Sequence, residues 1–427
     1  MKKKYGYILD TQYPIFFYKE MTPLWLSSCV NFLGFKTVDI TKKFSYLELA
    51  CATGINLIVN AINNPNGYFV GVDFNSKHIE VAQKRAKELN LKNIEFICCD
   101  FDTFFKQNSK KFDFIVNHGT FSWVSKEVQK DILNIVSSFL DELGIFYIHY
   151  MCYPASASLL SIQKLFNIVD NNLSNSSIKS VEIAKELFFD LNEACAFVDN
   201  AKIDSIIRTL NENSNSYLAH EFLTDYWQPL FSVDLHKMVF ENTQTTFLGS
   251  ANIVDNIENI SIPAKLQDIV KAIKVPALKE YVKDLARNSK QRVDIFQKNP
   301  QVLQSDEYSN AINQIGFKLI SNLPKNAPFC FKTTIGDIKA PDELVDVLEK
   351  NFAKKDLTFK EMLSLDMFKN NHIFLIETIF LLVSNNYLHF VSKNAKLVDK
   401  TCIKKFSQIT KEDDIKLKLL SECATAI

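Results

Sequence analysis

The stretch F-S-Y-L-E-L-A-C-A-T-G-I-N, residues 44–56, decides the fold. Its first half, FSYLELA (44–50), is almost unbroken apolar chain and reads as a strand buried on both faces; GINLIVNAI (54–62) reads as the helix that follows. Small residues at 50, 52 and 54 let the backbone between them turn tightly and lie close to a ligand. The start of the helix adds N–H groups that have no partner within it. Working outward, YFVGVD (68–73), IEFICCD (94–100), FDFIVN (112–117) and GIFYIHYMC (144–152) repeat the strand pattern, with helices predicted at 76–89 and 125–141. Apolar strands alternating with helices imply an α/β unit with a mostly parallel sheet covered on both faces.

Three acids fall on successive strands of this unit: Glu48, Asp73 and Asp100. The C-terminal ends of strands in an open α/β sheet face one crevice, so the three are expected to converge. A dinucleotide site would show G-x-G-x-x-G to cradle a pyrophosphate. Here the loop reads A-C-A-T-G and is introduced by Glu48, which suits a ligand with a cationic amino-acid head such as the methionine part of S-adenosylmethionine. Asp73 is placed to accept from ribose hydroxyls and Asp100 from an adenine amino group, with Phe74 and Phe101 beside them to sandwich the base.

The order E-x-A-x-A-x-G, helix, strand-Asp, helix, strand-Asp, strand-Asn resembles the class I S-adenosylmethionine-dependent methyltransferases over about residues 40–155. Glu48 and Gly54 match the usual E/D-x-G-x-G-x-G, while Ala50 and Ala52 depart from it. A wider resemblance is to the methyltransferases with a regulatory domain, a group that includes rickettsial enzymes methylating lysines of outer-membrane proteins. It is carried by Tyr13-Pro14, Thr22-Pro23-Leu24, ELACATGIN, YFVGVDFNSKHIEVAQ (68–83), NHGTFSWV (117–124) and YLAHEFL (217–223). The resemblance implies a Rossmann-like fold and S-adenosylmethionine as cofactor, with S-adenosylhomocysteine as product. The expected cofactor-binding set is Tyr13, Glu48, Ala50, Cys51, Ala52, Gly54, Asn56, Asp73, Phe74, Asp100, Phe101, Asn117 and His118. The methyl acceptor is expected to be a protein with accessible lysines; the alternatives are a small molecule, or no turnover at all in a cofactor-binding interaction protein. His118, Trp123 and Tyr18 are the expected catalytic residues, His118 as a proton acceptor or as an orienting group. Trp123, Phe121 and Tyr150 are candidates to line a channel for an alkyl ammonium by cation–π contact. His220-Glu221 reads as a structural hydrogen-bond or ion-pair node.

Beyond Ala155 the periodicity is helical to about Phe240, and TTFLGSANIV (245–254) reads as extended. From about 340 a pattern of three helices and a strand suggests a small winged-helix-like unit. Three regions are expected: 1–155, an N-terminal segment with the methyltransferase domain; 156–338, a mainly helical regulatory, substrate or dimerising domain; and 339–427, the winged-helix-like domain. Lys+Arg and Asp+Glu both number 49 in 427 residues, so no global basic field exists and no nucleic-acid partner is expected. The nine cysteines are odd in number and lack metal-site spacing, which points to free thiols and no metal. The most apolar run, 373–383, is too short to span a bilayer. A cytoplasmic homodimer is the resulting expectation.

Overall fold

The computed structural model describes residues 2–324, 328–369, 371–395 and 398–427. Seven strands form the central sheet: β1 Phe44–Leu49, β2 Gly67–Asp73, β3 Ile94–Cys98, β4 Phe112–Asn117, β5 Leu140–Met151, β6 Thr245–Ser250 and β7 Gln291–Lys298. Their spatial order is β3-β2-β1-β4-β5-β7-β6. The first five strands are parallel to one another, and β7 enters antiparallel to both β5 and β6. Chain order reverses on either side of β1, so the crevice of an open α/β sheet opens beyond the ends of β1 and β4.

Five helices belong to this unit: α1 Pro23–Phe32, α2 Ile55–Asn63, α3 Ser76–Glu88, α4 Phe101–Gln107 and α5 Lys126–Phe139. Local chemistry starts them where the strands end. Asn75, Asp100 and Ser125 cap α3, α4 and α5 by accepting from the backbone N–H of Lys77, Thr103 and Val128. All nine residues of α2 are buried, because it lies between the sheet and the C-terminal part of the chain. One sheet face packs with α1–α3 and the C-terminal unit into one apolar cluster; the other packs against α4, α5 and a helix at Ser232–Thr243.

A third cluster lies within the helical region formed by α6 Leu160–Asn172, α7 Ser177–Glu193, α8 Ile203–Glu212 and α9 Asn215–Phe222. The segment 245–254, expected to be extended, supplies β6, and with β7 it completes the sheet from within the middle region. A division at 155 therefore cuts across the central sheet. The winged-helix-like unit has helices at Leu344–Phe352, Phe359–Leu363, His372–Ser384 and Lys400–Glu412 around a small antiparallel sheet. The central strand of that sheet, Gly316–Leu319, precedes the expected start at 339; four residues are too few to show a strand period in the sequence. Among the described residues, no helix is long and apolar enough to cross a membrane.

Candidate active site: a carboxylate-lined cavity at the strand ends

The loop after β1 carries three left-handed residues at alternate positions: Ala50 (φ 63°), Ala52 (φ 46°) and Gly54 (φ 73°). For alanine this conformation costs about 1–2 kcal/mol each, so the surroundings must hold it in place. They do so with hydrogen bonds from the N–H groups of Ala50 and Cys51 to the Val72 carbonyl (2.8 and 3.1 Å) and from Ala52 N–H to Asp73 Oδ2 (2.9 Å). At Gly54 a Cβ would lie 2.5 Å from the Phe96 ring, so glycine is required there by space as well as by φ.

Below this loop is a cavity of about 420 Å³. Tyr13, Tyr18, Glu48, Ala50, Cys51, Ala52, Gly54, Asn56, Asp73, Phe74, Asp100, Phe101, His118 and Trp123 all line it. Asn117 does not. Fully buried, it donates from Nδ2 to the Leu49 carbonyl (3.1 Å) and so ties β4 to β1 behind the wall. Phe121 and Tyr150, proposed channel aromatics, are also core residues; the Tyr150 hydroxyl donates to Asp294 at 2.7 Å. Trp123 lines the cavity and is at the same time buried in the apolar cluster of the helical region.

The walls carry one sign of charge. Glu48, Asp73, Asp100, Asp102 and Asp131 line the cavity, and no lysine or arginine does among the described residues. Asp73 is committed on both sides, accepting from Ala52 N–H through Oδ2 and from Asn75 N–H (2.8 Å) through Oδ1. Asp100 accepts from Thr103 N–H (2.8 Å) and from the Tyr5 hydroxyl (3.1 Å), and these bonds hold it below the usual carboxylate range. Glu48 has no such help. Its Oε2 is buried without a partner, and burial, then the nearby Asp73, pushes its carboxyl up to about 8. An ionised carboxylate with a lone oxygen in a dry wall is stabilised by a cation in the cavity.

At the end of β4 the rings of Tyr18, His118 and His149 stack, with centroids 3.8 and 4.3 Å apart. His118 Nδ1 lies 2.8 Å from the Tyr147 hydroxyl, and His149 Nδ1 accepts from Gly119 N–H at 3.1 Å. Burial, with the second imidazole adding to it, holds His118 well below its ordinary value; burial brings His149 to about 4. Both rings are neutral at pH 7.

Residues 5–18 roof the cavity. The turn at Tyr5-Gly6 (φ 53° and 75°) folds a two-residue hairpin that brings the rings of Tyr5 and Tyr7 edge-on to Phe74, at 5.7 and 6.4 Å. Asn56 Oδ1 accepts from Tyr18 N–H (2.9 Å), so this expected cofactor residue also latches the roof. The remaining moorings reach the helical region: Lys2 and Lys3 pair with Asp170 (2.6 and 2.8 Å), Ser177 N–H donates to Asp10 (2.9 Å), and His220 Nε2 lies 3.0 Å from the Thr11 carbonyl. Of the expected His220-Glu221 node, His220 makes its hydrogen bond, whereas Glu221 forms no salt bridge or hydrogen bond among the described residues. Tyr5, Tyr7, His78, Asp102 and Asp131 were missed as wall residues. Only the Tyr-Gly turn signal in KKYGYI (3–8) could have pointed to the first two.

Residues 40–192 match the methyltransferase domain family, and residues 214–298 match the family described as predicted methyltransferase regulatory domain. By these two matches the chain is similar to the class I methyltransferases that carry a regulatory domain. In fold, the chain is similar to PKMT2 from Rickettsia typhi, whose structure was solved in complex with S-adenosylhomocysteine: TM-score 0.68, 19% identity, 89% of this chain and 77% of that one covered. Two uncharacterized proteins are similar in sequence. One, from Synechocystis, is 29% identical over 74% of this chain and 62% of its own length; the other, from Rickettsia prowazekii, is 26% identical over 75% and 57%. The chain thus spans about three-fifths of the length of these relatives. The cofactor that the family implies is S-adenosylmethionine, and the residues present fit it: a cationic ligand meets five carboxylates and the unpartnered Glu48 oxygen, with no lysine or arginine in the lining among the described residues and Lys4 outside it, over the Tyr5 and Phe74 rings.

Proposed function

We propose that the chain is an S-adenosylmethionine-dependent methyltransferase whose acceptor is a protein lysine side chain. The observation that carries the first half is the cavity at the ends of β1–β4, whose acidic wall residues meet no lysine or arginine in its lining among the described residues. A phosphate-bearing dinucleotide would meet repulsion there from every charged wall residue. When bound, the cofactor supplies an electrophilic methyl group on a sulfonium. Glu48 would hold its ammonium and Asp73 its ribose, with Phe74 and Phe101 flanking the base beside Asp100.

The chain's own contribution is then to position, desolvate and exclude water. The roof of residues 5–18 covers the cavity, and the Tyr18–His118–His149 stack fixes the imidazole beside the wall. A lysine amine, with a pKa near ~10.4, must shed a proton before it attacks, and the neutral His118 ring can accept it or orient the loop around it. For the lysine half, support comes from the fold shared with PKMT2 and from the cation-favouring walls. The roof favours a second reading, a small-molecule acceptor that is enclosed whole.

Calorimetry should give one S-adenosylhomocysteine per chain, with NAD far weaker; comparable NAD binding would sink the assignment. Radiolabelled cofactor offered to cell-envelope proteins should then place label on lysine. Label found only in a metabolite fraction would select the second reading. The proposal includes a homodimer through the region after 155, and a 49 kDa species in light scattering at micromolar concentration would rule that out.

A further inference from the structure

One side of the cavity is aromatic where the rest is acidic. Tyr7, Tyr13, Phe16 and Tyr18 all line it. Ring contacts make a continuous wall, with Tyr13–Phe16 at 5.9 Å and Phe16–Tyr18 at 6.3 Å. Tyr18 in turn stacks on His118, so this wall is continuous with the end of β4.

Behind it stands α9, from the region matched by the regulatory family. Tyr217 and Glu221 are four residues apart and share one helix face. That face is turned to the wall, because the Tyr217 ring meets Phe16 at 6.2 Å. His220, the next residue, meets the Tyr7 and Tyr13 rings at 5.3 and 5.2 Å. The half-buried Glu221 carboxyl forms no salt bridge or hydrogen bond among the described residues; burial pushes it above the usual carboxylate range, and Lys290 opposes that shift and favours its charged form. It lies near enough to Tyr7, Tyr13, Tyr18 and Tyr217 for its charge to oppose ionisation of all four phenols. Rings present a negative face to a cation, and a carboxylate behind them deepens that potential without entering the cavity.

We propose that this wall, Tyr7, Tyr13 and Tyr18 with Glu221 behind them, is a cation site that takes the aliphatic ammonium of the methyl acceptor, with Glu221 as the residue that sets its preference for charge. Only the identification of the occupant as a methyl acceptor rests on the methyltransferase reading; the cation preference does not.

The test is calorimetric titration of the full chain at pH 7.5, with and without saturating S-adenosylhomocysteine, using n-butylammonium and its neutral counterpart 1-butanol. The wild type should bind the ammonium at least about fivefold more tightly than the alcohol. Glu221→Gln should remove most of that ratio and Glu221→Asp should restore part of it, with the affinity for 1-butanol and for S-adenosylhomocysteine held within about twofold. A purely structural role would weaken both probes together, and that outcome overturns the proposal. So does a wild type with no preference for the cation. If S-adenosylhomocysteine fails to bind, the methyltransferase reading falls, while the cation ratio is still read on the free protein.

Discussion

Glu48→Gln should strengthen the fold and weaken the cofactor, two effects of opposite sign from one atom change. The carboxyl is buried, its Oε2 has no partner, and it titrates near 8 in place of the ordinary 4.5. A carboxyl raised in this way stabilises the folded chain below pH 4.5, and that stabilisation is lost as pH climbs toward about 8. At about 1.4 kcal/mol per pH unit, the interval sets an upper bound of ~5 kcal/mol above pH 8 and ~3 kcal/mol at pH 7. Glutamine is neutral throughout and keeps what the acid loses. Denaturant unfolding should therefore show variant and wild type nearly equal at pH 5, and the variant more stable by a few kcal/mol at pH 8.5. S-adenosylhomocysteine affinity should fall in the same variant by about 1.5–3 kcal/mol, the range for a lost hydrogen bond to a charged group. Equal stability at pH 8.5, or an unchanged cofactor affinity, would refute the assignment of Glu48 as an uncompensated acid awaiting a cation.

The left-handed alanines offer a second check. Ala50→Gly and Ala52→Gly should each stabilise by about 0.5–1 kcal/mol, the relief of positive φ exceeding the entropy glycine adds to the unfolded chain; a loss in the denaturation midpoint would count against the loop geometry. Asp73→Ala removes the acceptor for both Ala52 and Asn75 N–H. It should weaken S-adenosylhomocysteine by about 1.5–3 kcal/mol with native circular dichroism, and a change under threefold would contradict it. His118→Gln should cost turnover less than about 10²-fold, as an orienting ring would; a larger loss would make it the proton acceptor. Trp123→Ala should lower stability by about 3–5 kcal/mol because its body is core, so Trp123→Phe is the variant in which to compare turnover with cofactor binding.

The strand ends were readable because their chemistry is local. Glu48 lies near the end of one apolar run, Asp73 and Asp100 close two others, and the sheet brings such ends together whatever the rest of the chain does. Ala50 and Ala52 showed where the turn lies, but their left-handed φ arises from bonds to Val72 and Asp73, twenty residues on. Tyr5 and Tyr7 were hidden because their place in the wall depends on moorings to Asp170, Ser177 and His220 more than 150 residues away. Asn117 looked like a wall residue from its position at a strand end. Side chains alternate across a strand, and only the pairing with Leu49 shows which way this one turns.

The origin of β6 and β7 in the middle region has a consequence for how this protein can be divided. Cleavage at 155 would strip β5 of its antiparallel neighbour along seven residues, Ile145 to Met151. Phe146, Ile148 and Tyr150, now fully buried, would lose part of their cover, and a row of backbone donors and acceptors would face solvent. Such an edge is long, flat and apolar, the kind that templates strand addition from other copies. The N-terminal part is therefore not a portable module: exchange between relatives by recombination has to carry the segment through 298 with it to keep that edge covered.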